Sequence, residues 1–150
     1  MRTQKGITLI ETVVVFCIIA IVAAIAIPQF RKMAINGNLK AAAKDIMGDF
    51  AYMRERAISE NTSFTVTFNQ NNNNYTSTAL ARTKTPSYFS SDIHINGVTF
   101  IGGVTTLTFS TRGTISPAGT NTITLTNGRG STATITVLTA GRIYVQYNLY

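Results

Sequence analysis

A single cysteine, a single histidine, no tryptophan and only six carboxylates in 150 residues leave few side chains from which to build a catalyst. One cysteine and one histidine are too few for a zinc site. No serine sits in a nucleophile elbow, and no Walker-type Gly-Lys-Ser occurs. His94 stands between Ile93 and Ile95 in a strand-like stretch, with Asp92 as its sole local acid, so no acid and nucleophile gather around it. Gly128-Arg129-Gly130 reads as a hairpin turn and not as a phosphate loop. Cys17 lies inside an apolar run and acts there as a small apolar residue. With no second thiol, an intrachain disulfide is excluded and stability has to come from packing. Neither an enzyme nor a metal or other cofactor is expected.

What remains divides into two unlike halves, a greasy N-terminal part with helical patterning and a remainder rich in Thr, Asn and Gly. The length suits one ordinary domain plus an anchor. The formal charge is +7. Arg2 and Lys5 precede the apolar segment, as a cytoplasmic flank does under the positive-inside rule. From Asn61 onward Arg82, Lys84, Arg112, Arg129 and Arg142 stand against Asp92 alone, a net of +4. Such an excess is compatible with binding anionic partners but more often serves solubility.

Ile7 to Ile27 reads ITLIETVVVFCIIAIVAAIAI, interrupted by Thr8, Glu11 and Thr12. At about 1.5 Å per residue this helix spans a hydrocarbon layer of roughly 30 Å. A secretory signal would be shorter and would end at a small-residue cleavage site, whereas Ala26-Ile27-Pro28-Gln29-Phe30-Arg31-Lys32 continues into an amphipathic pattern. Glu11 is anomalous here, because an acid at the centre of a bilayer costs on the order of 2.5–3.5 kcal/mol. Near the interface, the positive end of the helix dipole would ease that cost.

The junction Lys5-Gly6 followed by Ile7-Thr8-Leu9-Ile10-Glu11 resembles the type IV pilin and type II secretion pseudopilin superfamily. The resemblance implies that a prepilin peptidase cuts between Gly6 and Ile7 and that the new terminus is methylated. It also implies that Glu11 pairs with the terminal amine of a neighbouring subunit, and Pro28 stands where the family has its helix-bending proline. Ile7 occupies a position where the family most often has Phe or Met.

Beyond Pro28, Ile35, Leu39, Ala43, Ile46, Phe50, Met53 and Ala57 recur at alternating intervals of four and three, one stripe of a helix. Lys40, Lys44, Asp45, Asp49, Arg54 and Glu55 are expected on its other faces. Gly37 and Gly48 suggest bends or close approaches, and the helix is expected to stop near Asn61.

Alternation then predicts a hairpin from Phe64 to Thr78 around the polar run 69–74. Further strands are predicted at Ile93 to Ile95, Val98 to Ile101, Thr105 to Phe109, Asn121 to Thr126, Thr132 to Leu138 and Arg142 to Tyr147. Asn96-Gly97, Gly102-Gly103, Pro117-Ala118-Gly119, Asn127-Gly128 and Ala140-Gly141 are the turn signals between them.

Leu107 to Arg142, with Phe109-Ser110-Thr111-Arg112-Gly113 and a closing Gly141-Arg142, resembles the GspH/FimT group of minor pilins and pseudopilins. The lack of an acidic calcium loop and of a C-terminal cysteine pair favours a minor subunit.

The expected fold is α+β, a long N-terminal helix packed on a small antiparallel β domain. Residues 1–6 are read as leader, 7–28 as membrane and filament-core helix, 29–60 as amphipathic helix and 61–150 as the β domain. The expected role is a structural minor subunit of a type IV pilus or type II secretion system. Its partners are other pilins or pseudopilins, the prepilin peptidase and the bacterial inner membrane, with the β domain outside the cytoplasm. The rival reading is DNA uptake. Some members of the FimT branch are associated with a Gly-Arg-x-Arg element, of which Gly141-Arg142-Ile143-Tyr144 keeps only the first arginine. Arg112, Arg129 and Arg142 are its candidate DNA-binding residues, and they would have to converge on one face.

Overall fold

The computed structural model describes Gly6 and residues 8–150, which divide into two compact units at Ala34/Ile35. One helix, α1 (Leu9–Ser59), contributes to both. In the first unit its large apolar side chains are exposed around the helix, Leu9, Phe16, Ile21, Ile25 and Phe30 among them. Thr8 caps its start, accepting a hydrogen bond from the Glu11 N–H at 3.3 Å, the Thr-x-x-Glu arrangement of a capping box. The helix runs unbroken through Pro28.

In the second unit α1 buries Leu39, Ala42, Ala43, Ile46, Phe50, Met53 and Ala57, and Ile35 is half-buried. The predicted stripe is thus the packed face, and the helix ends within two residues of Asn61. Asp49 departs from expectation: it is buried on this same face rather than on an outer one. Gly37 and Gly48 also depart from it, since a Cβ on either would meet nothing within 4 Å and no close approach requires them.

Two antiparallel sheets complete the unit. The first has the order β3-β2-β1-β5-β6, formed by β1 (Phe64–Asn69), β2 (Asn74–Ser77), β3 (Arg82–Lys84), β5 (Thr106–Phe109) and β6 (Ile115–Ser116). The second has the order β4-β7-β8-β9, formed by β4 (His94–Thr99), β7 (Thr120–Thr126), β8 (Thr132–Leu138) and β9 (Ile143–Asn148). Alternate residues of β1, β5, β7 and β8 point inward, and their apolar side chains join the helix stripe in one core. Phe50 stands at its centre, 6.1 Å from the Phe68 ring and 5.6 Å from that of Phe109.

The two strands predicted around Asn96-Gly97 are a single strand, β4. The pairing with β7 shifts between Ile95 and Gly97, so the dipeptide makes a bulge and not a turn. The polar 69–74 loop docks onto the outer edge of that strand. Asn73 donates to the Ile93 carbonyl at 2.8 Å and accepts from the Ile95 N–H at 2.9 Å, while Gln70 donates to the Asn96 carbonyl at 2.8 Å. One side-chain amide thereby replaces a neighbouring strand and closes the edge.

Candidate functional sites: an apolar helix and a divided arginine set

Of the processing junction, Gly6 is exposed, whereas Ile7, like the flanking Arg2 and Lys5, lies outside the described residues. Glu11 is the one acid in the first turn of α1, where the cap and the helix dipole favour a carboxylate. From Leu9 to Phe30 the large apolar side chains are exposed, and the helix is long and apolar enough to cross a membrane. Cys17 is exposed among them.

The three candidate arginines of the β domain separate into two places. Arg112 and Arg142 are carried by turns that abut. Gly113 and Gly141 both have positive φ (+74° and +79°), and a Cβ on Gly141 would collide with the Gly113 carbonyl and the Arg54 guanidinium. Arg54 pins this junction by donating from Nε to the Gly113 carbonyl at 3.0 Å. The Arg142 guanidinium stacks over Tyr144 at 5.6 Å from the ring centre. Arg129 sits in the β7–β8 turn, held by its N–H to Asn127 Oδ1 at 3.1 Å and its Nε to the Tyr150 carbonyl at 3.4 Å. The whole of β8 separates it from Arg142, roughly 20 Å for seven residues. The neighbouring Asn127 bonds to Asn36, whereas Arg142 lies at the Arg54 end. Those positions are about 27 Å apart along α1. The set therefore does not converge: the turns that carry Arg112 and Arg142 meet beside Arg54, and Arg129 lies at the other end of β8.

A second polar site was not foreseen. Lys84 on β3 donates to Asp45 Oδ2 at 2.7 Å and to Asp49 Oδ2 at 2.7 Å, and the Tyr75 hydroxyl on β2 donates to the same Asp49 oxygen at 2.7 Å. Burial, reinforced by the Asp49 charge, pushes the Tyr75 phenol above its usual range. Burial alone would lower the Lys84 pKa, but bonds to the two aspartates outweigh it and raise the value. The visible sign in the sequence was a pair of acids four residues apart, one of them on the packed stripe.

His94 is exposed, and its Nδ1 lies 3.3 Å from Asn73 Nδ2. Asp92, the nearest acid in sequence, is engaged by the Ser90 hydroxyl and the Gly128 N–H, which hold its pKa below the usual value. Among the described residues no cluster of three or more metal-ligating side chains forms.

Comparison with known proteins adds two family matches. The family described as type II transport protein GspH matches residues 42–141, more than half of the chain, and the prokaryotic N-terminal methylation motif matches residues 1–27. The type IV minor pilin FimU of Pseudomonas aeruginosa superposes with a TM-score of 0.58 at 18% identity, over 74% of this chain and 90% of that one. The minor pseudopilin EpsH from the type 2 secretion system of Vibrio cholerae gives 0.58 at 13% identity, over 73% and 96%. At such identities the likeness is one of fold. No curated protein matches significantly.

Proposed function

We propose, from the premise that the chain belongs to the GspH family of type II transport proteins, that it acts in the initiation and assembly of a type IV pilus or type II secretion filament. The family is one of non-enzymatic minor pilins and pseudopilins, subunits that assemble with other pilins. The observation that carries the finer reading is the run of exposed apolar side chains from Leu9 to Phe30. Each large apolar side chain left in water forgoes about 1.5–3 kcal/mol of burial. Such a helix needs a bilayer before assembly and neighbouring helices afterwards.

On this reading residues 1–6 are a leader, removed between Gly6 and Ile7 by a prepilin peptidase. Residues 7–28 anchor the subunit in the inner membrane and enter the filament core, with Pro28 at the core's end. Residues 29–60 and 61–150 form the part outside the cytoplasm. Cleavage would create an amine close to Glu11, and in an apolar bundle that carboxylate is costly unless a neighbour's amine pairs with it. Pairing of this kind would set the register between subunits.

Two measurements test the proposal together. Mass spectrometry of the native protein is expected to find N-methylated Ile7 as the first residue. Glu11→Ala is expected to stay in the membrane, since removing a charge eases insertion, but to co-purify with filaments at a tenth of the wild-type level or less. An intact leader in a host with an active peptidase, or wild-type incorporation of Glu11→Ala, would count against it.

DNA uptake is the second reading. What favours it is the abutting pair of turns that carry Arg112 and Arg142, with Arg54 beside them. What weakens it is the distant Arg129, which leaves few arginines for any one duplex to meet.

A further inference from the structure

We propose that the free edge of β9 is a strand-addition site for an extended, acidic segment of a partner protein. The proposal concerns the unit Ile35–Tyr150 alone and stands apart from the filament role above.

The pairing register carries the first step. Leu138 N–H bonds to the Arg142 carbonyl, and the partners Thr136↔Tyr144 and Thr134↔Gln146 continue that register. In an antiparallel ladder, hydrogen-bonded and non-bonded pairs alternate. Tyr144, Gln146 and Asn148 therefore turn their backbone groups toward β8, while Ile143, Val145 and Tyr147 turn theirs outward. Among the described residues nothing bonds to those outward groups. The opposite edge of the same sheet is covered from Ile93 to Asn96 by Asn73 and Gln70, whereas β9 has no such cover among the described residues.

The surroundings choose the occupant. The side chains of Ile143, Val145 and Tyr147 pack partly on the core, which gives the edge an apolar floor. A groove of about 370 Å³ continues it between Ile143 and the α1 residues Ala51, Arg54 and Ile58. Lys40 lies over the Tyr147 ring at 5.7 Å, and Lys44 follows one helical turn later. Arg54 holds the far end of the groove with Glu55 beside it, Arg142 stands over Tyr144 on the other face of the strand, and none of the four cations makes an ion pair among the described residues. The Tyr147 hydroxyl is withdrawn from water and has no hydrogen-bond partner among the described residues. A second copy of this chain would bring the same cations against themselves, so the charge argues for an acidic strand and against self-pairing. Backbone pairing would supply affinity and the alternate side chains specificity, as in other strand additions.

The test uses the full chain in detergent micelles and two heptapeptides of alternating valine and charged residues, one with Asp and Glu, the other with Lys in their place. The acidic peptide is expected to slow amide exchange at Ile143, Val145 and Tyr147 at least tenfold. Tyr144 and Gln146, already bonded to β8, should not change. The Lys peptide should bind at least tenfold more weakly, and the double variant Lys44→Glu/Arg142→Glu should invert that order. Val145→Pro removes an outward N–H while sparing the ladder to β8, a place where an edge strand tolerates proline, and it should abolish binding. If that variant fails to fold, N-methylation of the acidic peptide on the edge-facing amides serves instead. It should weaken binding tenfold relative to methylation of the outward-facing ones. Equal binding of both peptides, or no slowing at the three amides at millimolar acidic peptide, overturns the proposal. Protection of the same amides by self-association without peptide overturns it in favour of a homodimer.

Discussion

Asp49→Ala is the sharpest perturbation of the link between helix and sheet, because a single carboxylate serves two strands. Asp49 is 8% exposed and accepts from Tyr75 at 2.7 Å and from Lys84 at 2.7 and 2.9 Å. The Tyr75 hydroxyl would lose a charge-assisted bond in a place water does not reach, about 1.5–3 kcal/mol. Lys84 would keep Asp45, with a side chain that is still 18% exposed, so its share is about 0–1 kcal/mol. The total comes to about 3 kcal/mol. For a folded body of the size of Ile35–Tyr150, that corresponds to a fall in Tm of about 10 °C. Thermal melts followed by near-ultraviolet dichroism, on the full chain in detergent, measure it. Asp45→Ala is the control: that side chain is 37% exposed, and its loss should cost under about 1 kcal/mol. Equal losses from the two alanines would refute the reasoning. The same site sets the alkaline limit. Tyr75 and Lys84 both have folded-state pKa values raised above their ordinary 10.0 and 10.5. Their contribution is therefore complete below about pH 10 and is lost as pH rises through the folded-state values. Wild-type Tm should hold up to that point and then fall, and the gap to Asp49→Ala should narrow.

Gly141→Ala combines a φ of +79° with a Cβ driven into the Gly113 carbonyl and Arg54. A melt should show it costing about 2–4 kcal/mol, against about 1–2 kcal/mol for Gly130→Ala, which has the same φ in open space. Duplex DNA titrated onto the full chain at several salt concentrations should bind weakly, with a log–log slope of about −0.9 for each phosphate neutralised. Arg142→Ala should reduce the slope and Arg129→Ala should leave it unchanged. An equal loss from Arg129→Ala would mean that DNA reaches both ends of β8.

Much of the fold was legible where burial imposes a period. The stripe from Leu39 to Ala57 is packed as its spacing predicts, and the Thr-rich alternations of β1, β7 and β8 are strands. The misses share a cause, in that a tertiary partner decided them. Asp49, three residues after Ile46 and four before Met53, falls on the stripe by spacing, and it is accommodated there because Tyr75 and Lys84 meet it, partners that nothing within α1 announces. β3, which reads Arg82-Thr83-Lys84, has no apolar residue to mark it and is a strand through its pairing with β2. Asn96-Gly97 carries the chemistry of a tight turn, yet β7 pairs on both sides of it and turns it into a bulge.

The arginines show the same limit most clearly. Arg112 and Arg142 are thirty positions apart and their turns touch, whereas Arg129 and Arg142 are thirteen apart and lie at opposite ends of a strand. Separation along the chain is uninformative here, because an antiparallel ladder carries the nearer pair apart and a backbone contact brings the farther pair together. Each member of the touching pair has a glycine next to it, Gly113 after Arg112 and Gly141 before Arg142. Both glycines have positive φ, and Gly141 leaves no room for a Cβ against the Gly113 carbonyl. The glycines were therefore the residues in the sequence that bore on convergence, since they permit the approach that the cations themselves would resist. Arg54 completes the junction from the helix, where its place between Met53 and Glu55 in the sequence marks only an outer face.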